Sequence, residues 1–124
     1  MNVVDSSAWL EYFADGPNAD FFAAPIEASA ELLIPTVSLY EVFKRVLQQR
    51  GENAALQAIA LMQQGTVIEL TATLALQAAR ISLSEKLPMA DSIILATAQA
   101  HGATLWSQDS DFAHVLGVKY IAKK

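Results

Sequence analysis

The 124-residue chain contains no cysteine. This excludes a disulfide framework, a thiolate zinc site and a cysteine nucleophile. Its two histidines, His101 and His114, are not spaced i, i+4, so a helical imidazole pair is missing as well. Both fall near helix ends, where a structural role against the last carbonyls is expected. Basic residues are few: eight Lys and Arg stand against thirteen Asp and Glu, for a net charge of −5. That balance argues against broad electrostatic attraction to nucleic acid. It leaves open a local site at which metal ions bring the positive charge. No apolar run approaches the roughly 20 residues needed to cross a bilayer. No basic segment followed by a long apolar run marks a signal peptide. A cytoplasmic protein without membrane contact is expected. Repeats, low-complexity tracts and interdomain linkers are also missing, so residues 1–124 read as one domain.

What is present is strongly apolar. At 53% hydrophobic and 17% charged residues the chain is not disordered. The mean hydropathy of +0.30 is high for a small protein, which implies that a partner or a second copy covers some apolar helix surface. Short apolar runs occur at MNVV (1–4), LLI (32–34), TVIEL (66–70), ATLW (103–106) and VKYI (118–121). Each has the length of a strand. Helical patterns lie between them. Leu39, Val42, Phe43, Val46 and Leu47 follow the i, i+3, i+4, i+7, i+8 spacing of an amphipathic helix. ENAALQAIALMQQ and TATLALQAARISLSEK are rich in helix formers. Gly16, Gly51, Gly65, Gly102 and Gly117 read as helix stops at positive φ. Pro17, Pro35 and Pro88 read as helix starts, and Pro25 is expected to break or kink the stretch 18–30. The alternation predicts an α/β fold of three layers, α/β/α, with a short, mostly parallel sheet of about five strands.

Four acids stand at the junctions. Asp5 follows the first strand, Glu41 lies early in the helix after the second, and Asp109 follows the fourth. Asp91 opens the helix that feeds the fourth strand. In an open parallel sheet, ligands bind beyond the carboxyl ends of the strands. Right-handed crossovers put Asp5, Glu41 and Asp109 on that edge, and Asp91 joins them if its helix packs with its N-terminus there. Each acid also has a purely structural use. Asp5 and Asp109 can cap helices, Ser38 and Glu41 fit a capping box, Glu41 can pair with Arg45, and Asp91 suits a first-turn dipole. Those uses predict no common location. Four carboxylates on one edge repel unless a cation sits among them. All-oxygen ligands without cysteine or paired histidine suit Mg²⁺ or Mn²⁺. Such a centre is suited to phosphoryl transfer without a covalent intermediate.

Three segments carry a resemblance: DSSAWLEYF, PTVSLYEV and LPMADSIILATAQAHGATLWSQDSDF. In order and spacing they resemble the PIN-domain ribonucleases, most closely the small VapC-type toxins of toxin–antitoxin pairs. The resemblance spans nearly the whole chain. It implies a PIN-like fold, with Asp5, Glu41, Asp91 and Asp109 as the catalytic acids. Asp5, Asp91 and Asp109 are then the metal ligands for Mg²⁺ or Mn²⁺. Ser6 and Ser107 match supporting hydroxyl positions, and Asp111 a second acid that acts from further away. Trp106 departs from the aliphatic residue usual at its position, which puts the packing of the fourth strand in doubt. The implied activity is endoribonuclease hydrolysis of single-stranded or loop RNA at a phosphodiester, leaving a 5′-phosphate and a 3′-hydroxyl. The implied partners are an RNA substrate, a cognate antitoxin and a second copy in a homodimer. Lys44, Arg45, Arg80 and Lys86 are the candidate RNA contacts. Trp9 is expected in the core. Tyr12 and Phe13 belong either to the core or to a groove for an antitoxin helix.

Rival readings fit less well. A haloacid-dehalogenase-type phosphotransferase wants a second acid at position 7, which is Ser. A receiver domain wants an acid pair after the first strand, but position 6 is Ser. A mononucleotide site wants a glycine-rich turn there, and DSSAWLEYF has no glycine. A non-catalytic PIN-like binding module, or another metal-dependent phosphoryl-transfer domain, remains the alternative to the nuclease.

Overall fold

The apolar runs become five strands in the computed structural model, which describes residues 1–124. The strands are β1 (Asn2–Val4), β2 (Leu32–Pro35), β3 (Thr66–Ile68), β4 (Thr104–Ser107) and β5 (Lys119–Tyr120). They pair in the order β3-β2-β1-β4-β5, and every pairing is parallel. The helices are α1 (Ser6–Phe13), α2 (Ala19–Glu27), α3 (Thr36–Arg50), α4 (Glu52–Met62), α5 (Ala72–Glu85) and α6 (Met89–Ala100). Two helices fill each of the first three crossovers. The last crossover holds only a 3₁₀ turn, Ser110–Phe112, where a helix was expected.

Alternation along the strands divides the interior into two cores. Val3, Leu33 and Leu105 face one side and pack with residues of α5 and α6, including Leu74, Ile81 and Ile94. Val4, Leu32 and Ile34 face the other side with Trp9, Phe22, Val42, Ala58 and Met62 from α1 to α4. The sheet is therefore covered on both faces, which explains its nearly unbroken apolar strands. Trp9 is fully buried, as expected, although its indole N–H has no hydrogen-bond partner. The strand containing Trp106 packs without difficulty. Its Nε1 donates to Asn2 Oδ1 at 2.9 Å, and its ring centroid lies 5.1 Å from that of Phe21.

Several local expectations change. Pro25 does not break its helix: α2 runs through it and ends two residues later. The lost N–H falls in the last turns, and the proline itself is buried. Ser38 does not form a capping box. Pro35 takes the N-cap position of α3, so Ser38 already lies inside the helix, its hydroxyl buried without a partner. Positive φ holds at Gly51, Gly102 and Gly117, but not at Gly16, where Asp15 takes the left-handed position instead, nor at Gly65. Gly65 is needed for closeness instead, because a Cβ there would stand 2.8 Å from the carbonyl oxygen of Leu32. The left-handed end of α5 is Lys86, with φ 57°, where no glycine announced it. His101 Nδ1 lies 2.9 Å from Thr97 O and His114 Nε2 2.8 Å from Glu85 O, so both histidines face backbone carbonyls.

Candidate active site

The strand order places a switch point at β1. From it the chain winds outward through β2 and β3 on one side, then through β4 and β5 on the other. The crevice beyond such a reversal is where open α/β sheets bind ligands. Asp5 leaves β1 at that point, and its N–H donates to Trp106 O of β4 at 3.1 Å.

Asp5 is 1% exposed and heavily hydrogen-bonded. Its Oδ1 accepts from Ala8 N at 2.9 Å and from Ser7 Oγ at 2.9 Å. Its Oδ2 accepts from Ser107 Oγ at 2.6 Å. Ser107 Oγ in turn accepts from Asp109 N at 2.9 Å. Asp5 therefore does cap α1, and it also joins the end of β4 through a relay of two hydrogen bonds. Burial pushes its carboxyl from 3.8 up to about 6, against the downward pull of Ser107, Ala8 and Ser7, while the Asp109 charge adds to the rise.

Asp91 comes from the first turn of α6, whose N-terminus does reach this edge. Its carboxyl is raised from 3.8 to about 7, first by desolvation and then by the charges of Asp109, Asp5 and Asp111. Carboxylate oxygens of Asp91, Asp109 and Asp111 lie within 4.8 Å of one another. Asp111, expected to act from further away, thus belongs to the tightest acidic group. Asp5, expected among the ligands, lies outside that group and engages the hydroxyls. Asp109 also accepts from Asp111 N at 2.9 Å, closing the 3₁₀ turn that holds the two acids together. Glu41 stands across the cleft on α3. Its Oε1 accepts from Ser6 Oγ at 2.6 Å, a partner in place of Arg45.

These groups line one cleft of about 500 Å³, which includes Asp5, Ser6, Glu41, Asp91 and Asp109. Lys44 and Arg45 line it too; Arg80, on α5, and Lys86, at the end of α5, do not. Tyr40 and Gln48 are further lining residues that the sequence reading missed. Tyr40, Lys44 and Gln48 recur every fourth residue beside Glu41 and Arg45, so one face of α3 carried the signal. A separate groove of about 380 Å³ adjoins the cleft through the shared Leu10. Phe13, Val46, Ala58 and Leu61 make it mostly apolar. Phe13 therefore lines a groove, whereas the Tyr12 hydroxyl donates to Glu27 Oε2 at 3.4 Å.

The donor set fits a hard divalent cation. Three carboxylates converge, no sulfur or imidazole stands with them, and burial followed by repulsion from its neighbours has raised Asp91.

An all-parallel α/β sheet with carboxylates gathered at its switch point defines the class of protein. The chain belongs to the PIN domain family, whose profile matches residues 3–117. No curated protein sequence matches it. Among solved structures, the fold is similar to that of a toxin–antitoxin complex from Klebsiella pneumoniae, at 22% identity and a TM-score of 0.80, covering 95% of each chain. It is also similar to Mycobacterium tuberculosis VapC20, a Sarcin-Ricin loop cleaving toxin, at 20% identity and a TM-score of 0.79, covering 96% of this chain and 98% of that one. PAE2754 from Pyrobaculum aerophilum matches at 19% identity and a TM-score of 0.77, covering 97% and 88%.

Proposed function

We propose that this PIN domain is a Mg²⁺- or Mn²⁺-dependent endoribonuclease and the toxin of a toxin–antitoxin pair. The observation that carries the proposal is the convergence of Asp91, Asp109 and Asp111 within 4.8 Å, beside a buried Asp5 at the sheet's switch point. Asp91, Asp109 and Asp111 would hold the cation, with the Asp5 carboxylate adding negative charge beside them. Bound there, a divalent ion supplies charge stabilisation at the phosphate and lowers the pKa of a water. Ser107 fixes the orientation of Asp5, and Ser6 that of Glu41. Glu41 takes the proton that the attacking water gives up. The water oxygen bonds to phosphorus as the bond to the 3′ oxygen breaks, and that oxygen takes a proton from a solvent water. The products carry a 5′-phosphate and a 3′-hydroxyl. Lys44 and Arg45 offset the acids along the RNA backbone.

Partners follow from the apolar surfaces. An apolar helix of the antitoxin fills the groove beside Leu10 and Phe13, next to the acids it must silence. A solved toxin–antitoxin complex of the same fold supports an antitoxin as the partner. A second copy covers α5, where Ala72, Leu76, Ala79 and Leu83 form an exposed stripe.

The test is incubation of the purified protein with mixed cellular RNA and Mn²⁺ or Mg²⁺, followed by mapping of the new ends. Cleavage should vanish in EDTA and fall by orders of magnitude in Asp91→Asn. Full activity in EDTA, or an Asp91→Asn protein that cuts normally, rejects the proposal.

A further inference from the structure

A second polar cleft, of about 460 Å³, opens beside Asp109. It shares Ser7 and Asp109 with the first, and its other lining residues include Gln108, Tyr120 and Lys123. The two clefts meet at these two residues and otherwise draw on different elements, α3 for the first and the C-terminal segment for the second. Each offers one tyrosine and at least one cation. On α3 these are Tyr40, 64% exposed, with Lys44 Nζ 5.8 Å from its ring centroid, and the neighbouring Arg45. On the C-terminal segment they are Tyr120 and Lys123.

The C-terminal segment is held in place rather than trailing. Tyr120 pairs with Ser107 in the sheet, and Ile121 N donates to Ser107 O at 3.1 Å. The next residue is tied by a buried side chain: Asn18 Nδ2 donates to Ala122 O at 3.1 Å and to Gln108 Oε1 at 3.0 Å. Gln108 closes the set with a longer bond from Nε2 to Ser7 O, at 3.4 Å. Lys123 is thereby carried to the rim of the second cleft, one residue beyond the tie.

We infer the path of the RNA strand: it crosses the acids from the α3 cleft to the C-terminal cleft, which share Asp109. Tyr40 and Tyr120 stack bases on opposite sides of the scissile phosphate, and Lys123 neutralises a backbone phosphate on the Tyr120 side. This rests on the nuclease reading and adds to it the path of the strand. The physical case is that an acidic centre repels the RNA backbone, so attraction must come from its flanks. Lys44, Arg45 and Lys123 are the cations lining the two clefts. Aromatic faces beside basic groups are how single strands are bound without a base code. A double helix would keep its bases stacked on one another and unavailable to the tyrosines.

The experiment measures binding of a fluorescein-labelled random RNA of about 12 nucleotides, within the range of single-strand site sizes. The parent is the full-length Asp91→Asn protein in Mg²⁺, titrated at several KCl concentrations. Lys123→Ala should weaken binding and reduce the salt slope by ~0.7, the value for one phosphate contact on a single strand. Tyr120→Leu should weaken binding about tenfold with the slope unchanged, as loss of one stacked base predicts. Tyr120→Phe keeps the ring and should bind like the parent. Because Lys123 is exposed, its variant reports even if the Tyr120 variants fold poorly. Parent-like affinity and slope in both Lys123→Ala and Tyr120→Leu overturn the inference. If wild-type protein still cuts mixed RNA and Asp91→Asn does not, only the strand path has failed. If wild-type protein cuts nothing, the nuclease reading has failed as well.

Discussion

Asp5 shows how one side chain serves two masters. Its carboxylate caps α1, and it also sits buried within the electrostatic reach of Asp91 and Asp109. Raising its pKa from 3.8 to about 6 corresponds to roughly 3 kcal/mol that ionisation withdraws from the folded state. Because the folded carboxyl is the weaker acid, the native state holds more protons than the unfolded chain. Metal-free stability should therefore be highest below about pH 4 and fall as pH rises through about 6 for Asp5 and about 7 for Asp91. Melting curves in EDTA across that range check the slope. Asp5→Asn keeps the cap, since Asn caps about as well as Asp. Its Nδ2 can face Ser107 Oγ, which is able to accept as well as donate. The variant should lose part of the pH slope. Excess Mg²⁺ should raise the wild-type melting temperature, more at pH 8 than at pH 5, because the ligands must be ionised. A wild type with no pH slope in EDTA and no response to Mg²⁺ would leave Asp5 a cap and nothing more.

At the scale of the element, what the sequence revealed depends on the range of the force involved. The strands and the long helices rest on periodicity and propensity within a window of residues, and they were legible. The amphipathic spacing from Leu39 to Leu47 became α3, and Thr71 caps α5 through Leu74 N at 3.2 Å. What was not legible depends on partners far along the chain. Ser38 lost its capping role because Pro35, completing β2, starts the helix early. Gly65 looked like a helix stop, yet the constraint on it comes from Leu32, on a strand it must pass closely. Gly65→Ala should therefore destabilise the fold by about 1–3 kcal/mol through overpacking against backbone. Denaturant unfolding would show it as a lower midpoint with an unchanged slope. The site follows the same pattern. Asp5, Glu41, Asp91 and Asp109 were visible as acids at junctions, but the closeness of Asp111 arises from a 3₁₀ turn that took the place of an expected helix. Tyr120 and Lys123 escaped notice because only the pairing of β5 with β4 brings them to the acids.

For the molecule as a whole, the apolar surplus read from composition has a location. Leu83 is 84% exposed and Met89 75%, one near the end of α5 and the other at the start of α6. Leu76 and Leu83 belong to the exposed apolar stripe of α5. At micromolar concentration, light scattering should give about twice the 13.4 kDa of one chain. Leu83→Glu should shift the mass toward that of a single chain without lowering the melting temperature of the monomer, since the side chain supports no core. A wild type that scatters as one chain would remove the second copy from this face.

The order of the strands bears on how such a chain is made. β1 leaves the ribosome first, yet it occupies the middle of the sheet, and one of its neighbours is β4, about a hundred residues later. Until Thr104–Ser107 has been synthesised, one edge of β1 has no partner, Asp5 lacks the Ser107 hydroxyl, and Asp109 does not yet exist. Contacts so distant in sequence also form slowly once the chain is free, because loop closure must come before any reward. A nascent or prematurely terminated chain therefore carries no assembled acidic edge. For a domain whose proposed substrate is RNA, this topology withholds the complete site until β4 and the acids that follow it have been made.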